Sequence, residues 1–94
     1  MKIRWSPRAQ RELRQVRNYI AQYNPSAAER VVSRILSATQ RAERFPYIGE
    51  ASEEVDIRLL RVKGLPYALP YRVRGDVIEI LAVFDQRRDP EDLF

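Results

Sequence analysis

The sequence predicts an α+β fold of order β-α-α-β-β-β, a helical hairpin packed on a small antiparallel sheet. Three observations carry this. Two cap-plus-proline pairs, Ser6-Pro7 and Asn24-Pro25, open consecutive stretches of helical periodicity. Phe45-Pro46 closes the second stretch, because the residue before a proline is pushed out of the helical region. Beyond it, three short apolar segments are separated by Lys63-Gly64-Leu65-Pro66 and Gly75-Asp76, both turn sequences.

The elements follow in order. Met1, Ile3 and Trp5 alternate with Lys2 and Arg4, the period of a half-buried strand. From Pro7 to about residue 22, the apolar residues Ala9, Leu13, Val16, Ile20 and Tyr23 fall on one helical face, with the arginines mostly off it. In the second helix Ala28, Val31, Val32, Ile35, Leu36, Ala38, Thr39, Ala42 and Phe45 form a broad stripe. The short connection makes the helices antiparallel neighbours, and their alanines allow close approach. Pro46-Tyr47-Ile48-Gly49 reads as a turn and residues 50–56 as an acidic surface loop. Residues 57–62, 67–74 and 77–84 then form an antiparallel meander, in which Pro70 cannot donate a ladder hydrogen bond. It must sit at a bulge or turn its missing N–H to an unpaired edge. Gln86 to Phe94 reads as a charged tail ending in Leu93-Phe94.

The totals narrow the chemistry. A chain of 94 residues, 45% hydrophobic and 32% charged, has room for one domain, residues 1–94, and one thin core. It contains no cysteine and no histidine, so disulfides, Cys/His zinc sites and an imidazole base are excluded. Glu53, Glu54 and Asp56 read as a solubilising loop rather than a metal site. No secretory h-region or bilayer-length apolar run is present, so the chain is expected to be cytoplasmic and off the membrane. The net charge of +4 favours acidic partners, and nearly all of the 17 basic residues are arginine, the side chain suited to forked contacts with carboxylate or phosphate. Free codon use in a GC-rich genome explains the arginine excess equally well.

The joint order of several motifs resembles the ParE branch of the ParE/RelE toxin superfamily over nearly the whole chain. They are Trp5-Ser6-Pro7-Arg8-Ala9, Tyr19-Ile20, Asn24-Pro25-Ser26-Ala27-Ala28, Phe45-Pro46-Tyr47-Ile48-Gly49 and Arg58-Leu59-Leu60 with Val62. Leu65-Pro66-Tyr67, Tyr71-Arg72-Val73, Gly75-Asp76, Ile80-Leu81-Ala82-Val83 and Arg87-Arg88-Asp89-Pro90 continue the series. The resemblance implies the toxin of a type II toxin–antitoxin pair, held by a cognate ParD-like antitoxin whose disordered tail folds onto it. Operator DNA would be reached only through the antitoxin. The ParE branch is associated with poisoning DNA gyrase and the RelE branch with cutting mRNA on the ribosome.

Chemistry weighs between the branches. Cutting RNA through its 2′-hydroxyl needs a base, an acid and cations around the scissile phosphate. By the resemblance, Ala68 stands where RelE-like nucleases carry arginine, and Asp85 where many relatives carry histidine. These positions favour a non-catalytic binder without a cofactor, with a ribosome-dependent nuclease and a non-toxic antitoxin-binding relative as alternatives. Arg61, Arg72, Arg87 and Arg88 are the target-binding candidates, the first two also readable as ordinary strand-face arginines. Leu13, Tyr19, Tyr23, Tyr67 and Tyr71 are the antitoxin-binding candidates, the last two also readable as core or groove wall. Trp5 is expected to anchor the core.

Overall fold

The computed structural model describes residues 1–88. The order is β1 (Lys2–Trp5), α1 (Pro7–Ala21), α2 (Pro25–Arg44), β2 (Glu50–Ala51), β3 (Arg58–Arg61), β4 (Tyr67–Arg74), β5 (Val77–Ile80) and β6 (Phe84–Asp85). Both helices start where the caps place them. Ser6 accepts the Ala9 N–H on its hydroxyl at 3.0 Å, and Asn24 accepts the Ala27 N–H on its Oδ1 at 3.1 Å. α2 ends before Pro46, with Arg41 and Arg44 in its last turn, where cations suit the negative end of the helix. An ion pair between Arg17 and Glu29 crosses the hairpin.

The sheet runs β1-β5-β4-β3-β2, with β6 pairing β4. The expected meander is present as β3-β4-β5, antiparallel throughout. The purely antiparallel sheet is corrected in one respect: β1 pairs β5 in parallel, Lys2 opposite Val77 through Trp5 opposite Ile80. The sheet is therefore mixed. The loop over 50–56 begins with a two-residue strand against β3, Glu50 opposite Leu59. The single last strand over 77–84 is divided, since the ladder with β4 stops at Ile80 and resumes at Phe84 opposite Ala68.

Pro70 explains that division. Its carbonyl accepts the Leu81 N–H at 2.8 Å. A strand residue directs its N–H and C=O to the same side, so the missing donor of Pro70 faces the interrupted stretch between β5 and β6. Of the two readings of this proline, the bulge-like break is the one realised.

The core lies between hairpin and sheet. Ala9, Ile35, Ala38 and Ala42 meet Leu60, Val62, Leu69, Tyr71, Ile78 and Ile80, with Ile3, Trp5, Leu13 and Val16 packed against its margin. The alanines Ala9, Ala38 and Ala42, read in the sequence as allowing the two helices to approach each other, are buried in this core. Tyr71 is 0% exposed; its hydroxyl donates to the Pro46 carbonyl and accepts the Gly49 N–H, each at 2.9 Å. Gly49 is needed there for space: a Cβ would fall 2.7 Å from the Tyr71 ring and 2.9 Å from the Leu59 carbonyl. Gly75 turns the β4–β5 hairpin at φ 60°, a conformation favouring glycine.

Candidate functional site

The break between β5 and β6 shapes a groove beside α1. Glu12, Gln15, Val16 and Tyr19 form one wall, and Tyr67, Val83, Asp85, Arg87 and Arg88 the other, around about 350 Å³. Register explains the assembly. Tyr67 pairs with Asp85, so these neighbours share the helix-facing side of the sheet, and the turn after Asp85 carries the two arginines to the same mouth. Four residues singled out in the sequence thus meet: Tyr19, Tyr67, Arg87 and Arg88.

The groove's charges are tied up locally. The Arg87 guanidinium donates to both Asp85 oxygens, at 2.9 and 2.6 Å, and the Arg87 N–H donates to the same carboxylate at 2.9 Å. These hydrogen bonds from Arg87 are the main cause holding the Asp85 carboxyl below its ordinary 3.8, while burial pushes the other way. Glu12 accepts the Val83 N–H at 3.0 Å and the Arg8 guanidinium at 3.3 Å. Burial, and then the neighbouring Asp85 charge, push the Tyr67 phenol above its ordinary 10.0, so it holds its proton near neutrality. Ala68, next to Tyr67 on β4 and so on the opposite face of the sheet, is 2% exposed and carries only a methyl group. Two acids balance two arginines around two tyrosines, a poor setting for a phosphate that needs net positive charge.

The remaining candidates lie elsewhere. Arg61 and Arg72 share the sheet face turned away from the helices, since Arg61 opposes Ala68 and Ala68 and Arg72 are separated by an even number of residues on β4. Neither presents an open charge there: Arg61 forks onto Glu50 at 2.9 and 3.2 Å, and Arg72 binds Glu79 at 2.7 Å. Tyr23 is exposed at the hairpin tip in edge contact with Tyr19, centroids 5.7 Å apart. Leu13 is partly buried against the core. Tyr71 is corrected as a partner-contact candidate: with no accessible surface and both hydroxyl bonds internal, it is a core residue. Asp89 and Pro90, with the tail to Leu93-Phe94, lie outside the described residues.

Sequence reasoning missed the role of Glu12. Its one signal was its isolation, an acid four residues after Arg8 on an otherwise arginine-rich helix. Also unforeseen was an exposed apolar corner after α2, where Phe45, Tyr47 and Ile48 stand out from the surface. Arg44 lies over Phe45 and Arg58 over Tyr47, at 5.5 and 5.3 Å. Among the described residues no helix is long and apolar enough to cross a membrane.

Solved structures share this helical hairpin on a small mixed sheet. A chromosomal ParDE toxin–antitoxin system from P. aeruginosa superposes with a TM-score of 0.75 at 23% identity, covering 90% of this chain and 95% of that one. A YoeB/ParE toxin from Agrobacterium tumefaciens does so with a TM-score of 0.62 at 19% identity, covering 88% and 95%. In sequence, the chain is 40% identical to the toxin-family protein Y4kP of Sinorhizobium fredii, over 87% of this chain and 84% of that protein. It is 29% identical to the toxin RelE2 of Caulobacter vibrioides, over 84% of this chain and 88% of that protein. The model of the family described as the ParE toxin of type II toxin–antitoxin systems, parDE, matches residues 3–90. The chain belongs to this ParE toxin family, as a type II toxin–antitoxin toxin.

Proposed function

We propose that this toxin acts by binding a protein target, DNA gyrase, without cleaving RNA, and that a cognate ParD-like antitoxin neutralises it in the cytoplasm. The observation that carries the reading is the state of the groove where a RelE-like nuclease would hold its phosphate. Asp85 occupies Arg87, and Tyr67 keeps its proton. A 2′-hydroxyl would find no ready base there, and an attacked phosphate would meet a carboxylate. What the groove offers instead is a tyrosine-and-arginine rim, side chains that commonly anchor protein interfaces.

In the supercoiling assay, the purified, folded protein stops gyrase from supercoiling relaxed plasmid or traps cleaved DNA, and adding the antitoxin reverses the effect. Full gyrase activity in the presence of excess folded toxin removes gyrase as the target. The likeness to RelE2 supports a second reading, ribosome-dependent mRNA cleavage. Transcripts cut in phase with codons after induction would favour it.

A further inference from the structure

A second groove, unrelated to the Tyr67–Arg87 site, lies on the other side of the hairpin. It is bounded by Arg34, Ser37, Ala38 and Arg41 of α2 and by Val62, Lys63 and Gly64 at the β3–β4 turn, with a volume of about 570 Å³. Helical spacing aligns the α2 residues: positions 34, 37, 38 and 41 follow one face, and Arg34 and Arg41 stand two turns, roughly 10 Å, apart. Gly64, at φ 77°, folds the turn back toward the helix, so that a Cβ there would fall 2.9 Å from the Arg34 guanidinium. Three exposed cations thus converge, and no acidic side chain lines the groove. Among the described residues none of the three forms an ion pair, whereas Arg17, Arg61, Arg72 and Arg87 all do. Arg41 makes one long contact, 3.5 Å, to the Arg61 carbonyl. Ala38 and Val62 make an apolar floor.

We propose that this groove is the docking site for an acidic protein segment that sets an apolar side chain between two carboxylates. Resting on the toxin reading, its natural owner is the antitoxin's tail. The charge pattern demands an anion, and the floor chooses its kind. Carboxylates four residues apart on an extended segment share one face about 13 Å apart, a span that the flexible Arg34 and Arg41 side chains can meet from backbone positions roughly 10 Å apart. The residue midway between them lies on the same face and would meet Ala38 and Val62, with Lys63 closing over the far side. A nucleic-acid strand fits less well: the lining has no aromatic ring on which a base would stack, and a concave site does not enter a duplex groove. Neutralising three converging cations also removes their mutual repulsion, so occupancy should stabilise the toxin by mass action.

The test is fluorescence anisotropy with a short fluorescein-labelled peptide of glutamates and leucines. A glutamine-and-leucine peptide and a single-stranded oligonucleotide of equal charge serve as comparisons. The acidic peptide should bind in preference to both, and R34E/R41E should weaken it by about tenfold or more, with K63E weakening it less. R34Q/R41Q gives the same direction of effect should the charge reversal fold poorly, and circular dichroism checks the fold of each variant. Unchanged affinity in folded R34E/R41E overturns the proposal, as does tighter binding of the oligonucleotide. In cells, the R34E/R41E toxin should remain toxic but escape its antitoxin. A wild-type chain that proves non-toxic defeats the toxin reading while leaving the peptide titration to decide the groove.

Discussion

Glu12 on α1 reaches across to the break in the sheet and accepts the Val83 N–H at 3.0 Å. Pro70 opens that break by lacking a donor, and Glu12 satisfies one of the backbone groups left inside it. The carboxylate is thus a structural partner to the backbone at the wall of the Tyr67–Arg87 groove. Replacing Glu12 by Ala leaves the largely buried Val83 N–H without an acceptor and should cost about 1–3 kcal/mol. Glu12→Gln keeps an acceptor oxygen and should cost less. Urea unfolding of the two variants checks the order; equal losses would mean that the charge, not the acceptor, matters.

The Tyr71 hydroxyl joins the end of α2 to Gly49, and both ends of that link are exacting. Tyr71→Phe strands the Gly49 N–H and the Pro46 carbonyl, with an expected cost of about 1–3 kcal/mol. Gly49→Ala forces a methyl group against the Tyr71 ring and should cost a similar amount, about 1–3 kcal/mol, by overpacking. If Gly49→Ala is neutral in thermal unfolding, the turn after α2 yields more than the packing suggests.

Stability should fall at both ends of the pH scale, for opposite reasons. The Arg87 hydrogen bonds hold Asp85 below its ordinary 3.8, and those of Arg61 hold Glu50 below 4.5. The unfolded chain therefore takes up these protons first on acidification. The stabilisation is present above those ordinary values and is lost as pH falls through the depressed folded ones. Both carboxylates lie near the surface, so the loss is shallow. Burial raises the Tyr67 and Tyr71 phenols above 10.0, so the unfolded state loses its phenolic protons first and stability falls as pH rises past that value. Unfolding midpoints measured across pH should show both arms, with Asp85→Ala flattening the acid arm.

Arg87 is well exposed and anchored mainly to Asp85, and Arg88 shares its groove. Replacing both by Ala should leave stability nearly unchanged, because surface ion pairs contribute little. The same change should reduce toxicity markedly if the rim meets the target. Growth after induction, read beside a melting curve, separates the two effects. A double variant that unfolds assigns the pair to the fold.

The fold was legible where local chemistry decides it. Ser6-Pro7 and Asn24-Pro25 cap their helices through contacts three residues away, and Pro46 stops α2 by sterics alone. The parallel partner of β1 was not legible, because alternation in Met1–Trp5 shows a half-buried strand but not which distant edge receives it. Tyr71 illustrates the same limit in the candidate site: periodicity places it on a face with Leu69 and Val73, yet only the returning Pro46–Gly49 turn buries its hydroxyl. Tyr19, Tyr67, Arg87 and Arg88 were identifiable as residue types, while Glu12 and the Arg34–Arg41–Lys63 convergence depend on how the hairpin lies against the sheet.

This toxin is proposed to bind its target and not to cut RNA. The most direct measurement incubates purified, folded protein with mRNA-programmed ribosomes and maps every transcript end. Transcripts that stay whole at toxin concentrations sufficient to arrest growth are the predicted result. Codon-phased ends that appear with wild-type protein and vanish with Arg87→Ala would contradict it.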